Sequence, residues 1–148
     1  YHFFMYEDDA LTQAQHFLST IKDTKGELPP VLDLENGGIE GKIDVTAYQQ
    51  SVITWLNAVE KSVGIKPIIY TNTFFGNTYL NHPDFADYHL WLAEYVQENP
   101  TVPNVWKTKG WTIWQRSEKG VIHGIDGNVD HDVFNGDLNA FKTLFFNQ

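Results

Sequence analysis

Cysteine is absent from this 148-residue chain. The absence excludes disulfide bonds, thiolate metal sites and a cysteine nucleophile. Basic residues are also scarce, because 10 Lys and Arg stand against 19 Asp and Glu, for a formal net charge of -9. Such a charge repels phosphate backbones and anionic lipid headgroups. A nucleic-acid partner is therefore not predicted.

Several other signals are missing. No apolar run approaches the roughly 20 residues that a membrane-spanning helix needs, so membrane insertion is not predicted. The glycine-rich phosphate loops of nucleotide-binding sheets do not occur, and neither does a serine nucleophile elbow. Apolar residues nevertheless make up 42% and aromatics 15% of the chain. That composition buries one core, and we predict a single domain over residues 1–148.

Strand-like and helix-like patterns alternate along the chain. Apolar residues at helical spacing predict helices near residues 10–21, 45–63 and 138–146, the first capped by Asp8 or Asp9. Short β-prone runs predict strands near residues 1–5, 31–35, 67–72, 89–95, 111–115 and 127–134. This alternation indicates a parallel sheet, either open and doubly wound or part of an α/β barrel. Acidic and aromatic residues at the strand ends favour the barrel.

Asp33 and Glu35 are the sharpest chemical feature. Residues two apart on a strand point to the same face, so both carboxylates should project together while Leu34 points the other way. Like-charge repulsion and partial burial should raise one pKa of the pair. A proton donor beside an anion is what acid-assisted cleavage of a glycosidic bond requires, although a structural acid pair is an equal alternative from these residues alone.

A second acidic cluster consists of Asp126, Asp130, His131 and Asp132. Carboxylates and imidazole suit a cation, but the spacing of a calcium-binding EF-hand loop is not met. We therefore favour a turn leading into a strand, with Asp130 and Asp132 on one face, and predict no metal. A metal-dependent hydrolase stays an alternative.

Aromatic residues at strand ends suit a carbohydrate cleft, because pyranose rings stack their C–H faces on aromatic rings. Tyr70 and Trp91 are the best candidates, while core packing accounts for most of the other aromatics. The histidines are predicted to be surface or hydrogen-bonded structural residues.

Six sequence blocks, taken in order, resemble glycoside hydrolase family 25, the CH-type lysozymes. They are Tyr1-His2-Phe3-Phe4, Pro30–Glu35, Pro67–Thr71, Leu90–Tyr95, Trp114-Gln115 and Val129–Gly136. The resemblance implies an irregular α/β barrel of five strand-helix units followed by three strands. It implies hydrolysis, with retention and without a cofactor, of the β-1,4 bond between N-acetylmuramic acid and N-acetylglucosamine in peptidoglycan.

The resemblance also implies roles for residues. Glu35 falls on the family's general acid/base, and Asp33 on the carboxylate that stabilises the reacting sugar or acts as nucleophile. The implied substrate-binding residues are Tyr1, Tyr70, Trp91, Gln115 and Asp130.

Family members begin with an additional strand, carrying an Asp-Val-Ser-like block, and a second strand-helix unit. This sequence is expected to lack both units, to leave two sheet edges unpaired, and to be poorly stable and weakly active as an isolated chain. The substrate implies an extracellular or wall-associated site of action, for a secreted or phage-released protein. A separate wall-binding module outside these residues is expected, and a non-catalytic glycan-binding module is the alternative function.

Overall fold

The computed structural model describes residues 1–24, 26–96 and 98–146. Its sheet has six strands that pair in chain order, and the first five run parallel while the sixth is antiparallel. The strands are β1 (His2–Phe3), β2 (Val31–Asp33), β3 (Ile68–Asn72), β4 (His89–Ala93), β5 (Ile113–Gly120) and β6 (Val129–Phe134). The predicted strands are confirmed, with β2 ending two residues earlier and β5 running five residues further than expected.

In the part of the chain that the structure describes, four α-helices connect or follow these strands. They are α1 (Ala10–Ile21), α2 (Val45–Val63), α3 (Thr73–Tyr79) and α4 (Leu138–Phe146). The Asp9 carboxylate caps α1 by accepting from the backbone N–H of Thr12. Asp44 caps α2 in the same way, and Gly64 ends α2 in the left-handed conformation at φ 77°. None of the helices in the described ranges is long and apolar enough to cross a bilayer.

The core lies between the sheet and helices α1 and α2. In the β2 segment, Leu32 and Leu34 are fully buried in this core, which turns Asp33 toward the opposite face of the sheet. His2 belongs to the core side: its ring stacks on Trp55 at 5.4 Å, and Nε2 hydrogen-bonds Gln13. The structural role predicted for this histidine is confirmed.

Strand register collects polar side chains at the carboxyl edge of the sheet. Asp33, Tyr70 and Trp91 are direct neighbours across β2, β3 and β4. Gln115 on β5 lies two positions beyond the residue that pairs with Trp91, and it pairs in turn with Asp132 on β6. Because parallel strands end at the same edge, residues far apart in sequence meet there.

Candidate active site

A cleft of about 220 Å³ opens at this edge of the sheet. All seven residues predicted for catalysis or substrate binding line it: Tyr1, Asp33, Glu35, Tyr70, Trp91, Gln115 and Asp130. A larger hollow of about 640 Å³ lies between α1 and the start of β2. Its lining is mostly apolar and includes no carboxylate, so this hollow offers no group for acid-base chemistry.

The backbone around Asp33 and Glu35 fixes both carboxylates on one side. Asp33 is the last residue of β2, and Glu35 continues in an extended conformation at φ −151° and ψ 173°. Leu34, between them, is buried in the core and donates its backbone N–H to the carbonyl of Tyr70 at 2.9 Å. The alternation predicted from the sequence therefore continues beyond the strand. A single turn of 3-10 helix, Asn36–Gly38, follows at once.

Asp33 occupies an unusual electrostatic position. Burial, followed by the negative charge of Glu35, raises the pKa of Asp33 to about 7. Its Oδ1 atom is buried and has no hydrogen-bond partner among the described residues. Burial and the charge of Asp33 also raise the pKa of the neighbouring Tyr48 phenol. The sequence predicted that one carboxyl of the pair would have a raised pKa, and in the structure that carboxyl is Asp33.

A hydrogen-bond network lies beside these acids, because Tyr70 is the strand neighbour of Asp33. The hydroxyls of Tyr70 and Tyr95 both donate to Oε1 of the buried Gln115, at 2.7 and 3.2 Å. Burial, and then the neighbouring Tyr95, raise the pKa of Tyr70, so its phenol is neutral at physiological pH. The Trp91 ring stands edge-on to Tyr70, with 5.7 Å between ring centroids and a 90° interplanar angle. Gln115 thus orients one face of the cleft without itself carrying charge.

Asp132 and Tyr95 contribute to the site although the sequence assigned neither to it. The Asp132 carboxylate accepts the indole N–H of Trp91 at 2.7 Å. Strand alternation had placed Asp132 on the same face as Asp130, which is the one signal that pointed to it. Within the described ranges, no three His, Asp or Glu side chains lie close enough to hold a metal ion.

Comparison with known proteins identifies the family. The model of Glycosyl hydrolases family 25 matches residues 1–125, so the chain belongs to that family. The uncharacterized protein YegX of Escherichia coli strain K12 is 40% identical over 144 residues, which are 97% of this chain and 50% of YegX. Lysozyme M1 of Streptomyces globisporus is 31% identical over 115 residues, covering 74% of this chain and 38% of that protein.

A solved structure supports the same assignment. The family GH25 lysozyme from Aspergillus fumigatus matches with a TM-score of 0.77 at 28% identity, over 95% of this chain and 68% of that one. The α/β fold expected from the sequence is therefore confirmed as that of the family's lysozymes, with β1 and β6 at the two ends of the strand order. The chain spans about half the length of YegX and less of lysozyme M1.

Proposed function

We propose that this protein is a peptidoglycan-degrading N-acetylmuramidase. It hydrolyses the β-1,4 bond between N-acetylmuramic acid and N-acetylglucosamine with retention, using Glu35 as general acid/base and Asp33 as the stabilising carboxylate. The observation that carries this proposal is the position of Asp33: a half-buried carboxyl beside Glu35, with an oxygen that lacks any partner in the described residues. Buried polar atoms normally have a hydrogen-bond partner, so Oδ1 is suited to a donor that arrives with the substrate.

The acetamido N–H of N-acetylmuramic acid is such a donor. Its hydrogen bond to Asp33 favours the ionised carboxylate and lowers the pKa that burial has raised. Substrate binding thereby converts Asp33 from its protonated resting form into the carboxylate that the reaction needs beside Glu35.

Reaction proceeds from that state. Glu35 gives its proton to the glycosidic oxygen as the bond to the anomeric carbon breaks. As the glycosidic bond breaks, the anomeric carbon forms a bond either to the acetamido oxygen, whose N–H is held by the Asp33 carboxylate, or to Asp33 itself. Glu35, now ionised, takes a proton from water, and the water oxygen attacks the anomeric carbon and displaces that oxygen. Two successive inversions retain the configuration.

The remaining cleft residues position the sugar. Trp91 offers an aromatic face, while Tyr1, Gln115 and Asp130 offer polar atoms to its hydroxyl groups. Lysozyme M1 bears the name of a wall-lytic enzyme, which supports peptidoglycan as the substrate here. We place the site of action at the cell wall, after secretion or phage release, and propose that a separate module outside residues 1–148 supplies wall attachment.

Glu35→Gln tests the catalytic assignment. In the protein as its whole reading frame encodes it, this variant should release muropeptides from purified peptidoglycan about 100-fold more slowly or worse, because general acid catalysis contributes roughly that much or more. Glu27→Gln removes the same charge at an exposed loop position and should retain the native rate. Undiminished release by Glu35→Gln would refute the assignment.

A wall-binding assay separates hydrolysis from mere recognition. The non-catalytic alternative predicts that the native protein sediments with peptidoglycan without generating new reducing ends. A muramidase generates them, and Glu35→Gln should still sediment with the wall.

A further inference from the structure

Another cavity, of about 560 Å³, adjoins the cleft and shares Glu35 and Tyr70 with it. Its other lining residues are Asn72, Thr73, Phe74, Ala93, Glu94, Tyr95 and Glu118. We name it the outer lobe. Its volume falls within the range of about 300 to 1,000 Å³ that is typical of small-molecule sites. Glu35 therefore stands on the boundary between two hollows, with Asp33 in only one of them.

Phe74 is the notable apolar residue of the outer lobe. Its side chain is 69% exposed, although the adjacent Phe75 is fully buried in the core. Exposure of a whole phenyl ring forfeits the free energy of burying its apolar surface, so the fold gains little from Phe74 as it stands. A ligand that covers the ring would recover this free energy.

The backbone that carries Phe74 is held in place. Asn72 caps α3 by accepting the backbone N–H of Phe75 at 2.9 Å. The Thr73 hydroxyl is within 2.5 Å of a Glu94 carboxylate oxygen and also contacts the carbonyl of Thr101. The first turn of α3 is thus tied to the end of β4, and the ring is presented on a rigid element.

We propose that the outer lobe binds the saccharide unit on the leaving-group side of the scissile bond, with Phe74 as its stacking platform. This inference rests on the proposed function. If Asp33 holds the sugar whose anomeric carbon reacts, the next sugar must lie beyond Glu35, because Glu35 protonates the oxygen that joins the two. The outer lobe is the hollow on that side. Its Glu94 and Glu118 carboxylates are hydrogen-bond acceptors for sugar hydroxyls.

Two substrates that differ only on the leaving-group side test the proposal. One is a tetrasaccharide of alternating N-acetylglucosamine and N-acetylmuramic acid. The other is the glycosyl fluoride of N-acetylglucosaminyl-N-acetylmuramic acid, whose departing fluoride ion leaves the outer lobe without a sugar. Phe74→Ala should lower kcat/KM for the tetrasaccharide about five- to tenfold, the size expected of one lost aromatic contact. Its kcat/KM for the fluoride should change less than about twofold.

Two further variants complete the experiment. Phe74→Trp keeps an aromatic face and should restore tetrasaccharide cleavage. Phe146→Ala removes another half-exposed ring, on α4 and outside both hollows, and should leave both rates unchanged. An equal loss on both substrates, or no loss on either, would overturn the role of Phe74. If the native protein cleaves neither substrate, the proposed function itself is wrong.

Discussion

The indole nitrogen of Trp91 donates a 2.7 Å hydrogen bond to Oδ1 of Asp132, across the intervening strand β5. Trp91 lies on β4 and Asp132 on β6, so this bond ties a central parallel strand to the antiparallel strand at the end of the sheet. It also fixes the angle at which the indole faces the cleft. Burial raises the pKa of Asp132, while the bond from Trp91 acts in the opposite direction. We therefore expect Asp132 to act as a positioning residue for Trp91.

Two substitutions of Asp132 should distinguish the effect of its hydrogen bond to Trp91 from the effect of its negative charge. Asp132→Asn keeps an oxygen acceptor for the indole, so KM for peptidoglycan fragments should stay within about twofold of native. Asp132→Leu removes the acceptor and should raise KM about five- to tenfold with a smaller change in kcat, because one hydrogen bond to a charged group is lost from a binding surface. Steady-state kinetics on both variants measures the split. Equal effects on KM and kcat, or equal behaviour of Asn and Leu, would contradict the positioning role.

Asp33→Asn should stabilise the protein at alkaline pH. The folded chain holds a proton on Asp33 up to about pH 7, whereas the unfolded chain loses it near the ordinary value of 3.8. Between these values the folded state binds more protons, so the free energy of unfolding falls as pH rises through this window. Above pH 7 the folded state carries the full free-energy cost of burying the ionised Asp33 carboxylate. Asparagine at this position has no charge and avoids that cost. After solvent screening we expect a gain of about 1 to 2 kcal/mol at pH 8.

Urea unfolding at two pH values checks this expectation. The difference between Asp33→Asn and native should vanish at about pH 2.5, more than one unit below 3.8, where Asp33 is protonated in both states. A variant that is less stable than native at pH 8 would show that burial of the charge is not the dominant interaction at this position. The same variant should lose hydrolysis, since its neutral side chain cannot stabilise the reacting sugar.

The pH dependence of the rate should report on the carboxyl pair. The pKa of Asp33 is about 7, and the reaction needs one proton on the Asp33 and Glu35 pair. We therefore expect kcat/KM to fall as pH rises through about 7, because the resting pair then carries no proton to donate. Initial rates on soluble glycan fragments between pH 5 and 9, at constant ionic strength, measure this fall in kcat/KM. A rate that is level from pH 6 to 9 would exclude the pair as the titrating group.

Gly38 should be intolerant of any side chain. A Cβ atom built at Gly38 would lie 2.1 Å from the carbonyl oxygen of Phe4, a backbone atom that has no freedom to move aside. Gly38 also donates its backbone N–H to the carbonyl of Glu35 at 3.0 Å, so strain at Gly38 should displace the segment that carries Glu35. Gly38→Ala should cost more than about 2 kcal/mol in unfolding free energy and lower activity in the folded fraction.

Gly37→Ala is the matched control for this prediction. The nearest atom to its Cβ is Cζ of the Phe3 ring at 3.1 Å, and a side-chain ring shifts more easily than backbone. Thermal unfolding of both variants should therefore show a much smaller loss for Gly37→Ala. Similar melting temperatures for the two variants would contradict the steric argument.

The α/β order and most element positions could be predicted from the sequence. Asp9, Asp44 and Gly64 mark helix ends by local hydrogen bonding and backbone conformation, which depend on near neighbours alone. Trp106 shows the limit of that approach. It lies in none of the predicted helices or strands, yet the structure places it in a 3-10 turn, Asn104–Trp106, with the indole fully buried and donating to the carbonyl of Tyr88. Its burial depends on contacts distant in sequence.

The sequence by itself determined that Asp33 and Glu35 face the same way, because alternation along an extended backbone is a local property. Only the tertiary structure decided which of the two is deprived of hydrogen-bond partners, since burial depends on the strands and helices packed around it. The tertiary structure also decided that Asp132 accepts the indole N–H of Trp91, 41 positions away in the sequence. Parallel strands bring such pairs together at one edge, and only the register of the folded sheet selects the partners.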